Sequence, residues 1–192
     1  MNNCLKIEVS IPEGIEQLDF QQYAFNNEIT KVILPKSLKS IGRECFRCCN
    51  NLRFVEFNKY SDLKKLPKSC FYNCRKLENV ILPNSVESIC NSCFEQCFKL
   101  KNLILPRNIK KLGSGAFAMC FNLEYLDFSV VNKDCELVIP RNCFTNCNYF
   151  ASNFVIPEYV KYISAHAFEL CNCENLKLQN PNETHVSKLV FL

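Results

Sequence analysis

Residues 77 to 83 read Leu-Glu-Asn-Val-Ile-Leu-Pro, with apolar side chains at Leu77, Val80 and Leu82. From Val80 the alternation has a period of two. That predicts a strand with Val80 and Leu82 turned inward and Asn79 and Ile81 turned outward. Pro83 has no N–H for a ladder and ends the strand. Asn84-Ser85 predicts a turn, and Val86 to Ile89 a second extended segment returning on the other side. Ser92 to Cys97 fits one helical turn, with Cys93 and Cys97 on one face at i, i+4.

The same order of positions recurs along the chain. Taking the Phe of each unit as its anchor gives Phe25, Phe46, Phe71, Phe94, Phe117, Phe144 and Phe168, spaced 21, 25, 23, 23, 27 and 24 residues apart. A small residue precedes each anchor: Ala24, Cys45, Cys70, Cys93, Ala116, Cys143 and Ala167. Three residues after it comes Cys49, Cys74, Cys97, Cys120, Cys147 or Cys171, except in the first unit. Five before it stands Phe20, Ile41, Leu66, Ile89, Leu112, Ile139 or Ile163. Units of this period cannot bury their apolar residues alone, and stacking completes a shared core. The expected fold is a repeat solenoid of about seven units of about 23 residues. Ile7 to Pro12 supplies a strand before the first full unit. Insertions at 58–62 and 129–135 both follow a strand and are expected to bulge from one edge. The domain reading is a solenoid over 1–178, with 179–192 leaving the register as a C-terminal cap or frayed tail.

The pattern Leu-x-x-Val-x-Leu-Pro-x-x-Val-x-x-Ile-x-x-x-Cys/Ala-Phe-x-x-Cys resembles the BspA-like class of leucine-rich repeats. Residues 89–106 and 112–128 match it nearly throughout, and the likeness runs over about 7–178. The resemblance implies a right-handed coil, with a parallel β-sheet on its concave face and short extended or helical turns on the convex side. For function it implies a protein-interaction module. Relatives in bacteria and parasitic protists include surface proteins implicated in adhesion to host matrix proteins or cells.

Fifteen cysteines are the compositional outlier. Cys45/Cys49, Cys70/Cys74, Cys93/Cys97 and Cys143/Cys147 have a spacing from which thiolates taken two by two could hold zinc. Ala takes the first slot in three sister units, however, and the pairs recur at the period of a core position. Both observations favour Cys as a small apolar filler. Cys4, Cys48, Cys90, Cys135 and Cys173 fall outside both slots and read as thiols without a role. The odd count and the repeat placement favour reduced thiols over a disulfide framework.

Catalysis is not expected. The two histidines, His166 and His185, have no nucleophile motif around them, and acidic residues occur singly. No metal or other cofactor is expected. Net charge is +4 with Lys and Arg scattered, which argues against nucleic acid. No apolar run of about 18 residues exists, so no membrane insertion is expected. Met1 to Glu8 lacks a basic segment followed by an apolar run, so no secretion signal is expected. The expected location is the cytoplasm, with the cell surface by an unconventional route as the alternative. Asn182-Glu183-Thr184 is a glycosylation sequon, inert without secretion.

What is left for function is the outward side of the strands. One row reads Lys31, Phe54, Asn79, Asn102 and Tyr125; the next reads Ile33, Glu56, Ile81, Ile104 and Asp127, with Val155 extending it after a one-residue slip. Apolar and aromatic side chains rimmed by polar ones suit a protein partner. These ten residues of the two rows are the expected partner-binding positions on the concave face. Two alternatives stand beside this reading. One is a thiol-rich metal or redox protein, and the other a scaffold that associates weakly through open solenoid ends.

Overall fold

A computed structural model describes residues 7–149, 155–172, 176–188 and 190. The chain winds as a parallel-strand β-solenoid, two short strands to a coil. The first four coils contain β1 (Ile7–Ser10), β2 (Gln17–Leu18), β3 (Ile29–Leu34), β4 (Ser40–Ile41), β5 (Phe54–Phe57), β6 (Lys65–Leu66), β7 (Asn79–Ile81) and β8 (Ser88–Ile89). The rest contain β9 (Asn102–Ile104), β10 (Lys111–Leu112), β11 (Tyr125–Asp127), β12 (Leu137–Ile139), β13 (Val155–Ile156), β14 (Val160–Ile163), β15 (Lys177–Leu178) and β16 (His185–Val186). Odd-numbered strands stack on one side in the hydrogen-bonded runs β1-β3-β5-β7, β9-β11 and β13-β15. Even-numbered strands stack on the other as β2-β4, β6-β8-β10 and β12-β14-β16. All pairings are parallel, and apart from shifts at Ile7/Glu8 and Leu137/Val138 they keep one register, so Leu66 lies on Ile89 and Ile89 on Leu112.

The period-two pattern is visible strand by strand. Val55, Phe57, Leu103, Leu105, Leu126 and Phe128 are buried, and Leu82 is half-buried against the same core. Along the axis runs a column of parallel rings, Tyr23, Phe46, Phe71, Phe94, Phe117, Phe144 and Phe168, with centroids 5.3 to 5.6 Å apart. Parallel planes at that separation are offset stacks, the favoured aromatic geometry.

Two expectations for the first coil are corrected by this column. Phe25 and Phe20 are 60% and 63% exposed, and Tyr23 and Leu18 hold the anchor and pre-anchor places. Tyr23 lies 23 residues before Phe46, so the first spacing is regular. The pair Ala24-Phe25 imitates the small-Phe signature of the other units and shifts the reading by two.

The expected helical turn is also corrected: among the described residues there is no helix. In Ser92–Cys97 the backbone N–H groups alternate. Those of Cys93, Glu95 and Cys97 bond three residues back within the coil. Those of Ser92, Phe94 and Gln96 cross to the carbonyls of Ser114, Ala116 and Ala118 at 2.8–3.0 Å. A helix would bond every N–H within its own segment. Here half of them join coils, and Ser92 and Gln96 accept left-handed φ values of 55° and 63° to aim them. The strain is about 1–2 kcal/mol per residue, offset by a third inter-coil ladder.

Among the described residues after 178 there is one further strand pairing. β16 pairs with β14 through Tyr162↔His185 and Ile163↔Val186, Ser187 N bonds Ile163 O at 2.9 Å, and Val190 is buried.

Candidate functional site

The side chains of the odd-numbered strands that point away from the core form one open face. Lys31 and Ile33 on β3 and Asp127 on β11 are half-buried; Phe54, Glu56, Asn79, Ile81, Asn102, Ile104 and Tyr125 are exposed. Register aligns Lys31, Phe54 and Asn79 in one row and Ile33, Glu56 and Ile81 in the next. Asn102 with Tyr125 and Ile104 with Asp127 continue the rows on β9 and β11. β7 and β9 lie side by side without belonging to one hydrogen-bonded run. Val155 also points outward. Five large apolar side chains, Phe54, Ile81, Ile104, Tyr125 and Val155, are therefore 38–58% exposed on one side of the molecule.

The cations Lys31 and Arg53 beside this face are paired at its amino-terminal margin. Lys31 Nζ lies 3.7 Å from Glu8. Arg53 donates through Nε and Nη2 to the Glu78 carboxylate at 2.9 and 3.0 Å, and its guanidinium lies 5.3 Å from the Phe54 ring centroid. A shallow depression of about 360 Å³ is lined by Glu8, Lys31, Phe54, Glu56, Asn79 and Ile81. A second, of about 590 Å³, lies beside Tyr125, Asp127, Lys133, Val155 and Tyr159.

The opposite side, built on the even-numbered strands, has a different character. Inter-coil ion pairs run along it: Lys39–Glu16 at 2.6 Å, Lys64–Glu87 at 3.5 Å, Lys110–Glu87 at 2.7 Å and Lys161–Glu183 at 2.9 Å. Each such surface pair adds little stability, about 0–1 kcal/mol. Beside these pairs that face also exposes Val138, Tyr162 and Val186 on β12, β14 and β16, at 38–42%.

The cysteines have a more specific place than filler. The thiol three residues after each anchor donates to the anchor carbonyl of the preceding coil. Cys49 reaches Tyr23 O at 3.0 Å, Cys74 Phe46 O at 3.0 Å and Cys97 Phe71 O at 3.2 Å. Cys120, Cys147 and Cys171 do the same to Phe94, Phe117 and Phe144 at 2.8–3.2 Å. Each carbonyl already accepts a backbone N–H from its own coil, as Phe71 O does from Cys74 N at 3.2 Å, so the thiol fills the second lone pair. The first coil has Asn26 in this slot, and no coil precedes Tyr23's among the described residues.

A second column at the Pro-side corner escaped sequence reading. Ser37, Ser61 and Ser85 donate to Ile15, Leu38 and Leu63 carbonyls at 2.7–2.9 Å, and Cys135 to Ile109 O at 3.1 Å. Thr184 Oγ1 of the sequon is buried there, 3.0 Å from Val160 O. The signal was a small hydroxyl or thiol one or two residues before the aliphatic residue of the returning segment. The inserted residues before Ser61 and Cys135 obscured it. Cys135 thus has a structural partner, as does Cys48, which accepts from Asn73 Nδ2 at 3.4 Å. Cys90 lies 3.7 Å from Ser88 Oγ. Cys4 and Cys173 fall outside the described residues.

Burial pushes the core thiols up, to about 12 for Cys45 and Cys49 and well above the ordinary range for Cys70, Cys74, Cys93 and Cys97. None of these six is poised as a thiolate. Among the described residues no three His, Cys, Asp or Glu side chains converge on a metal-sized site. His166 Nδ1 lies 3.7 Å from Glu169, and His185 stacks on Tyr162 at 4.9 Å. No described helix is long and apolar enough to cross a membrane.

The sequence profile of the BspA type leucine rich repeat region family matches in six copies, over residues 18–148 and 64–192. Among solved structures, a leucine-rich repeat protein from Treponema pallidum superposes with a TM-score of 0.75 at 23% identity, covering 89% of this chain and 78% of that one. A leucine-rich repeat protein from Bacteroides ovatus gives 0.71 at 17% identity over 94% of this chain and 59% of that one. A leucine rich cell surface protein from Faecalibacterium prausnitzii gives 0.63 at 19% identity over 89% and 63%. This chain therefore spans less than two thirds of the Bacteroides and Faecalibacterium proteins. No protein of curated function matches it.

Proposed function

Because the chain belongs to the BspA type leucine-rich repeat family, we propose that it is a non-catalytic binding module whose odd-strand face contacts a protein partner. The observation that carries this reading is the contrast between the two faces. Phe54, Ile81, Ile104 and Tyr125 stand open across four neighbouring strands of one, while the other is laced by inter-coil ion pairs and opens apolar side chains on its strands only from β12 onward. Contiguous apolar side chains with a polar rim mark contact surfaces, and aromatic residues dominate their energetics. The contacts are Lys31, Ile33, Phe54, Glu56, Asn79, Ile81, Asn102, Ile104, Tyr125 and Asp127.

The test is affinity capture from source cells with the unmodified chain and with Ile81→Asp/Ile104→Asp. Both positions are solvent-facing, so the double variant keeps its circular dichroism spectrum. A protein retained by the first and lost by the second supports the reading. The same proteins captured by both, with the fold intact, sink it. For location, the reduced core thiols favour the cytoplasm, whereas the description of the Faecalibacterium relative favours a cell surface. Surface biotinylation of intact cells separates the two.

A further inference from the structure

The charge on the strand face describes its partner more closely. Two carboxylates there, Glu56 on β5 and Asp127 on β11, have no cation within ion-pair distance among the described residues. Lys31 is engaged with Glu8 and Arg53 with Glu78; Lys133 lines the same depression as Asp127 without pairing to it. Glu56 and Asp127 flank Ile81 and Ile104 in a single row, which Ile33 continues beyond Glu56 on β3. From Glu56 the row thus runs acidic, apolar, apolar, acidic across four neighbouring odd-numbered strands. At the inter-strand spacing of about 4.8 Å the two carboxylates are about 14 Å apart.

An extended polypeptide laid along this row advances about 3.4 Å per residue, so four residues span the same distance. Residues i, i+2 and i+4 of a strand share one side. We infer that the partner presents an extended segment with Lys or Arg at i and i+4 and an apolar side chain at i+2. The cations meet Glu56 and Asp127, and the apolar residue rests on Ile81 and Ile104. Asn79 and Asn102 lie in the adjacent row, and their carboxamides make no hydrogen bond within the described chain. Each offers two donors and an acceptor to the segment's backbone. This inference rests on the strand face being the contact surface.

The probe is a phage-displayed library of random heptapeptides panned on the full chain, with enriched sequences synthesised and measured by fluorescence anisotropy. Enriched peptides are expected to carry Lys or Arg four residues apart around an apolar centre. Their binding should weaken about tenfold with Glu56→Gln/Asp127→Asn, from about 0.7 kcal/mol per exposed charge pair. That variant is nearly isosteric at the surface, and circular dichroism checks its fold. No enrichment, peptides without flanking cations, or binding indifferent to the double variant overturns the inference. If Ile81→Asp still abolishes binding of cation-free peptides, the strand-face reading survives. If Ile81→Asp has no effect either, both fall together.

Discussion

Cys93 and Cys97 belong to one coil and are both fully buried, so substitution can compare them. Cys97 Sγ donates to Phe71 O at 3.2 Å; Cys93 occupies the slot that Ala116 and Ala167 fill in sister coils. Replacing either by Ala removes one sulfur from a packed core, comparable to losing a methyl group, at about 0.5–1.5 kcal/mol. At position 97 the change also strips Phe71 O of its second donor and leaves it only Cys74 N. A thiol is a weak donor, so the extra cost is at the low end for a hydrogen bond, about 0.5–1 kcal/mol. Cys97→Ala should therefore be destabilised more than Cys93→Ala by that amount. The same difference should recur for Cys74→Ala against Cys70→Ala, because Cys74 donates to Phe46 O at 3.0 Å. Urea unfolding followed by circular dichroism reads it as a free-energy difference, and thermal melts as about 2–4 °C in Tm per kcal/mol for a chain of this size. Equal losses at both slots in both coils would refute the donor role and reduce these thiols to filler.

Other outcomes follow from the same geometry. Burial raises Cys45 and Cys49 to about 12, whereas thiols of the unfolded chain ionise near 8.5. Above that value the folded state holds protons that the unfolded state releases. Stability is therefore complete below about pH 8.5 and falls as pH rises towards 12, by up to about 1.4 kcal/mol per pH unit for each thiol. Far-UV circular dichroism should show cooperative unfolding between about pH 9 and 11; a chain still folded at pH 12 contradicts this. A Cβ added at Gly113 would meet Asn91 N at 2.2 Å and Cys90 C at 2.4 Å, both backbone of the preceding coil. Gly113→Ala should lower stability by about 1–3 kcal/mol in thermal melts. Gly115→Asn should stay within about 1 kcal/mol, since Asn142 holds the same left-handed place with φ 58° against 62°.

Much of the molecule was legible because a solenoid repeats its instructions. Val80 and Leu82 read as inward, Pro83 as a strand end and Phe94 as core, and each of these positions has sisters that say the same thing. The outward rows from Lys31 to Asp127 were legible for the same reason: strand alternation decides sides once the inward set is known. Legibility failed where a local imitation competed with the register. Ala24-Phe25 looked like a core pair, and only the stacking of Tyr23 on Phe46 at 5.3 Å revealed the true anchor. The i, i+4 spacing of Cys93 and Cys97 suited a helix, yet the N–H groups of Phe94 and Gln96 go to the next coil.

The sequence by itself determined the coil, its period and, beyond the first coil, which side chains face inward, because those follow from covalent spacing and apolar alternation. It could not decide which carbonyl a buried thiol would meet, since Cys97 and Phe71 become neighbours only when coils stack. Nor could it show that Lys39, Lys110 and Lys161 spend their charge on Glu16, Glu87 and Glu183 while Glu56 and Asp127 keep theirs. Pairings between coils depend on distances of a few ångströms across about 23 residues of chain. The tertiary fold alone sets those distances, and with them the face left open for a partner.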